Sequence, residues 1–108
     1  MKLTGKCKED FEKWILMDDD SEEYRFGQAL STNFDQLPLS FQWGVIVDFA
    51  DSKGYLLKVQ YLKGEYYYAV LIKDSNKTGL SGYEQSRPKA REKAIERFNE
   101  IYNNNENI

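Results

Sequence analysis

The chain has no histidine among its 108 residues. That removes the side chain most often used as a general base and the commonest nitrogen ligand for metals. It has one cysteine, Cys7, so neither an intrachain disulfide nor a cysteine zinc cluster can form. A nucleophilic thiol at Cys7 would lack a histidine to activate it. The opening MKLTGKCKEDFEKW contains no apolar core of a signal peptide. No apolar run approaches the roughly 18 residues of a membrane span, the longest being Val45–Val47 and Ala69–Ile72. These absences predict a cytoplasmic protein without cofactor, metal site or catalytic set, and without a membrane partner.

Hydrophobic residues at 41% and charged residues at 31% describe a globular chain rather than a disordered one. The length fits one domain with one core. Eight tyrosines, six phenylalanines and two tryptophans must supply much of that core. The net charge of -3 exerts no overall pull on nucleic acid, but the charge is unevenly placed. Residues 18–37 hold Asp18, Asp19, Asp20, Glu22, Glu23 and Asp35 against Arg25 alone, whereas Lys58, Lys63, Lys73 and Lys77 outnumber the acids of residues 55–79.

Four segments carry periodic patterns. Cys7, Phe11, Trp14 and Ile15 lie on one face of a helix that starts after Thr4, a capping residue, and ends near Met17. Phe41–Lys53 reads two ways. It alternates like a strand, yet it is bounded by Ser40 and Gly54, which are helix start and stop signals, and thirteen residues is long for a strand. The helix is the favoured reading, buried over most of its circumference. Tyr55–Leu62 and Glu65–Ile72 flank Lys63-Gly64, a two-residue hairpin turn. In that register Tyr55, Leu57, Val59 and Tyr61 share a face with Ile72, Val70, Tyr68 and Tyr66. Lys58, Gln60 and Tyr67 lie on the other face. Residues 73–86 are rich in turn formers. A last helix runs from Arg87 to about Asn103, with Pro88 in its first turn and Ser86 as its cap. Three i, i+3 ion pairs line its solvent side, Lys89–Glu92, Lys93–Glu96 and Arg97–Glu100. The expectation is an α+β fold of order ααββα, the alternative being αβββα with Phe41–Ala50 as a strand. The domain covers 1–103, with a long acidic loop over 18–38 and a frayed tail over 104–108.

Chemistry has few places to sit. Ser86, Arg87, Lys89 and Arg91 put basic side chains where a helix N-terminus already carries partial positive charge, an arrangement suited to an anion. At 100° per residue, Arg87 and Arg91 point towards the body of the protein. They either meet an anion there, or stack on tyrosines and pair with the acids of the 18–23 run. Asp18, Asp19, Asp20, Glu22 and Glu23 lack the glycine and the final glutamate of a calcium loop, so they read as a solvated acidic surface. Cys7 lies on an apolar stripe and reads as an inert buried thiol. Asp48 and Asp51 have no converging partner. Tyr67, beside Lys58 and Gln60, is either part of a half-covered sheet face or a platform on which a base can stack.

The segments LTGKCKEDFEKW, LPLSFQWGVIVDFADSKGY and SRPKAREKAIERFNEIYN resemble small uncharacterised proteins of bacteriophages and prophages from gut Bacteroidetes. That resemblance spans the two ends and the middle, and implies an origin rather than a mechanism. SRPKAREKAI is also similar to the second helix of double-stranded-RNA-binding domains, whose basic start grips phosphates. Here an Arg-Pro-Lys replaces that family's adjacent lysines, and the overall charge is acidic. The function expected is a small non-enzymatic accessory or regulatory module that binds another protein. Its candidate surface is Asp18, Asp19, Asp20, Glu22, Glu23 and Tyr67. The alternative is nucleic-acid binding, to duplex RNA or DNA, through Ser86, Arg87, Lys89 and Arg91.

Overall fold

In the computed structural model, residues 3–15, 34–73 and 78–106 are described. The described residues form three helices, α1 (Gly5–Ile15), α2 (Leu39–Ser52) and α3 (Arg87–Glu106), and a three-stranded antiparallel sheet of β1 (Tyr55–Leu62), β2 (Glu65–Ile72) and β3 (Thr78–Glu84); α2 and α3 lie against one face of the sheet, and α1 packs on α3. A 3-10 turn, Phe34–Gln36, leads into α2. The fold is α+β, and the helix, helix, hairpin, helix order follows the patterns in the sequence.

The hairpin forms in the register set by its turn. Tyr55 faces Ile72, Leu57 faces Val70, Val59 faces Tyr68 and Tyr61 faces Tyr66. Lys63 and Gly64 both take positive φ, 51° and 89°, the geometry that matches a two-residue turn to strand twist. Tyr55, Leu57, Tyr68 and Val70 are buried beneath the helices.

With Lys53 as its C-cap, the Phe41–Lys53 segment is helical as far as Ser52, not extended. Its buried residues are Gln42, Ile46, Phe49 and Ala50, spaced i, i+4, i+7, i+8. That spacing places Gln42, a polar residue, inside and leaves Phe41 on an exposed face. Gln42 is accommodated because its Nε2 donates to Leu37 O at 2.7 Å, tying the 3-10 turn to the helix. The helix begins one residue before Ser40. Pro38 occupies the cap, and its carbonyl accepts from the N–H groups of Phe41 and Gln42 at 3.0 Å each.

The 73–86 stretch holds more than turns: Thr78–Glu84 is a third strand, paired antiparallel with β2. Two glycines lower its strand propensity, and tertiary context supplies what propensity does not. Gly82 is required there. A Cβ at that position would fall 2.6 Å from Tyr68 Oη and 2.9 Å from Tyr68 Cζ, so the buried Tyr68 ring lies where any side chain would go. The ladder slips register between Ala69 and Leu71, where β3 carries a bulge. α3 also runs further than its apolar stripe predicts, to Glu106 instead of ending at Asn103.

α1 is fastened to α3 by carboxamides. Asn99 Oδ1 accepts the Thr4 N–H at 2.9 Å, and Asn103 Oδ1 accepts the Cys7 N–H at 2.8 Å. Asn99 Nδ2 donates to Thr4 Oγ1 and Asn103 Nδ2 to Thr4 O, both at 2.9 Å. The open Cys7 N–H in the first turn of α1 is therefore satisfied from across the fold, and the Thr4 hydroxyl accepts from Asn99 of α3. Below this clasp lies an aromatic core of Phe11, Phe34, Phe49, Tyr55, Phe98 and Tyr102, filled in by Ile46, Val70 and Ile95.

Candidate interaction surface

The start of α3 places the four basic-end residues as follows. Ser86 Oγ accepts the Lys89 N–H at 3.3 Å, and Ser86 O accepts the Ala90 N–H at 3.0 Å, so Ser86 is the helix cap. Arg87 lays its guanidinium over the Tyr66 ring, 5.5 Å from the centroid. Arg91 does the same over Trp43 on α2, at 5.8 Å. Both arginines turn inward because their positions share a helix face with Ile95 and Phe98, and each finds an aromatic face that attracts a cation. Lys89 is exposed and turns away from them. The structure thus brings Arg87 and Arg91 to the sheet and to α2, and does not converge the three basic residues on one point. Arg91 Nε is buried and has no hydrogen-bond partner among the described residues.

On the outer side of α3, Lys93 and Glu96 approach to 3.6 Å and Arg97 and Glu100 to 3.1 Å, while Lys89 and Glu92 make no such pair. Glu100, and after it the Tyr68 hydroxyl, raise the Arg97 guanidinium further above its ordinary value.

Asp18, Asp19, Asp20, Glu22 and Glu23 lie outside the described residues. Tyr67 lies on the sheet face that the helices do not cover. The hairpin register puts Leu56, Lys58, Gln60 and Leu62 of β1 on that face with Tyr67 and Leu71 of β2. β3 adds Tyr83 opposite Tyr67, the ring centroids 5.3 Å apart and tilted by 56°. Leu56 is 42% exposed, Leu62 47% and Tyr83 56%. Small Ala69 sits buried on the central strand between them. Leu56 and Leu62 were readable as members of this face from strand alternation alone. Tyr83 was not, because its strand is hidden in a glycine-rich stretch.

The remaining candidate groups among the described residues are placed as follows. No group of three metal-ligating side chains comes together among them. Asp51 pairs with Lys73, whose Nζ also donates to Asp51 O at 3.1 Å. Burial, and next to it the charge of Asp10, pushes the Cys7 thiol up to about 12. The surface groove along α2, lined by Ser40, Trp43, Gly44 and Val47, has Asp48 as its one ionisable group among the described residues. No helix described is long and apolar enough to cross a membrane. Comparison of the chain with family models, curated proteins and solved structures returned no match.

Proposed function

We propose that this chain is a small non-enzymatic module that binds another protein through the helix-free face of its sheet. One observation carries the reading: on that face exposed Tyr83 packs against half-buried Tyr67, with exposed Leu56 beside half-buried Leu71 at one end of β1 and exposed Leu62 at the other. Several exposed apolar and aromatic side chains on one sheet face, with polar residues among them, suit a protein interface. Lys58 and Gln60 in the middle of the patch supply polar anchors that fix orientation. The resemblance of both ends and the middle to phage and prophage proteins suggests an origin in such a genome and leaves the role to the surface.

The test is affinity capture from a nuclease-treated bacterial lysate with the parent chain and with Tyr83→Ser. Tyr83 is chosen because its side chain is exposed and its loss leaves the core intact. A protein retained by the parent, and lost with a variant of unchanged circular dichroism, supports the reading. A protein held equally by both rejects the sheet face. Recovery of nucleic acid alone rejects protein binding and favours the second reading, in which the exposed Arg87 and Lys89 contact phosphates beside Tyr61 and Tyr66. Binding of that kind would fall with salt at a log–log slope of about -0.9 per phosphate neutralised on duplex DNA.

A further inference from the structure

We propose that two copies of this chain pair along the outer edge of β1, joining their sheets into one continuous antiparallel sheet about a two-fold axis at Val59. The proposal uses the strand edge, not the open face, and stands independently of the reading above.

The phase of the hairpin decides which backbone groups are available. Lys63-Gly64 closes on the pair Leu62 and Glu65, which in a two-residue hairpin exchange both hydrogen bonds. Bonding to β2 therefore falls to Leu62, Gln60, Lys58 and Leu56. The Lys73 N–H donating to Gly54 O at 2.8 Å continues the same phase. The N–H and C=O groups of Leu57, Val59 and Tyr61 point the other way. β1 is the terminal strand, and none of these groups has a backbone partner among the described residues.

The two edges of the sheet differ. β3 is blunted by two glycines and a bulge, devices that discourage strand addition. β1 has eight residues, no glycine, no proline and no register slip, and only Lys58 and Gln60 are polar. Such an edge is a template for another strand.

The residues of β1 are complementary to themselves in one register. With Val59 opposite Val59 of the second copy, Leu57 meets Tyr61 on the helix side and Leu56 meets Leu62 on the open side. Lys58 meets Gln60, so the two lysines do not oppose each other. Val59, Leu57 and Tyr61 are the outward-bonding residues, so three residue pairs exchange about six N–H···O=C bonds. Tyr61, 56% exposed in the single chain, gains a covering neighbour. Centring the pairing on Lys58 instead puts lysine against lysine, which is destabilising. Centring it on Gln60 sets Lys58 against Leu62 and Leu56 against Gly64. The favoured pairing needs no partner chemistry beyond this chain, which is why a second copy is the occupant.

Sedimentation equilibrium from micromolar to near-millimolar concentration tests the proposal. The parent should show a reversible monomer–dimer equilibrium. Val59→Pro removes an outward N–H without touching the β1–β2 ladder and should abolish the dimer. Because Val59 also packs against the cluster of Tyr68, Ala90 and Ala94, a second variant guards against misfolding. Gln60→Lys, on an exposed side chain, sets like charges opposite Lys58 twice and should raise the dissociation constant about tenfold. Adding Lys58→Glu to it restores opposite charges and should return the dimer. Tyr83→Ser should leave the dimer unchanged. A parent that stays monomeric throughout overturns the proposal, as does a species larger than a dimer. So does a dimer indifferent to Gln60→Lys, and so does one lost with Tyr83→Ser, which would move the interface to the open face.

Discussion

Cys7 and Asp10 are one helical turn apart on α1, and the fold treats their ionisation in opposite ways. Cys7 has no exposed surface, and with its thiol raised to about 12 it holds almost no thiolate at neutral pH. A disulfide reagent at pH 8 should therefore leave the folded chain unmodified and label it promptly in denaturant, as a thiol-release assay would read. Asp10 accepts a hydrogen bond from the Tyr102 hydroxyl, and Lys6 approaches it to 3.3 Å. The Tyr102 bond is the main cause that holds its carboxyl below the usual carboxylate range. Partial burial works against it, and Lys6 adds to it. A carboxyl depressed in the folded state stabilises the fold above its unfolded pKa, and that contribution disappears as pH falls through the folded value. Asp10→Asn should cost about 1 kcal/mol at neutral pH. The gap between variant and parent should close towards pH 2, in urea melts run across the acid range.

At the scale of elements, β3 depends on a side chain that is absent, at Gly82. Gly82 leaves room for the Tyr68 ring, which is only 7% exposed and cannot swing out. Gly82→Ala should destabilise the chain by about 1–3 kcal/mol, as overpacking does. Amide exchange should show protection falling along β3 before it falls along β1. The same strand shows where the sequence was hard to read. The hairpin was legible to its exact pairing, because a two-residue turn and strict alternation leave one register that buries Leu57 and Val70 together. α2 satisfied both periods. The length between its end signals favoured the helix, but not the choice of inner face, since Phe41, Val45 and Phe49 made as good a stripe as Gln42, Ile46 and Phe49. β3 was illegible because Gly79 and Gly82 read as turn formers, and Gly82 has its reason in Tyr68, distant in sequence. The surface divides likewise. Tyr67 was placed by alternation and Arg87 and Arg91 by helical angle. Tyr83 came with the hidden strand, and the Trp43 ring under Arg91 belongs to another element.

The whole molecule is held at Phe49. Its ring lies 5.3 Å from Phe11 and 5.6 Å from Trp14 on α1, and 6.0 Å from both Phe98 and Tyr102 on α3. Tyr55 of β1 closes the circle against Phe98 at 5.3 Å. A second, smaller cluster of Tyr68, Ala90 and Ala94 lies towards the start of α3, and Trp43 touches both clusters. The described ion pairs are few and largely exposed, so this aromatic packing carries the fold. Phe49→Ala removes a ring with no exposed surface, at a cost of about 3–5 kcal/mol. That is a large share of the roughly 5–15 kcal/mol typical of a domain. The two tryptophans make the outcome readable by region. In a Trp43→Phe background, fluorescence reports on Trp14 and the main cluster, and in a Trp14→Phe background on Trp43 beside the smaller one. With Phe49→Ala in either background, the urea midpoint should drop by the same amount and the two transitions should coincide, because Ile46, Phe49 and Trp43 share one helix and α3 spans both clusters. If the Trp14 transition falls and that of Trp43 stays, α1 and its aromatic cluster unfold separately from the sheet, and the single cooperative core argued from Phe49 is wrong.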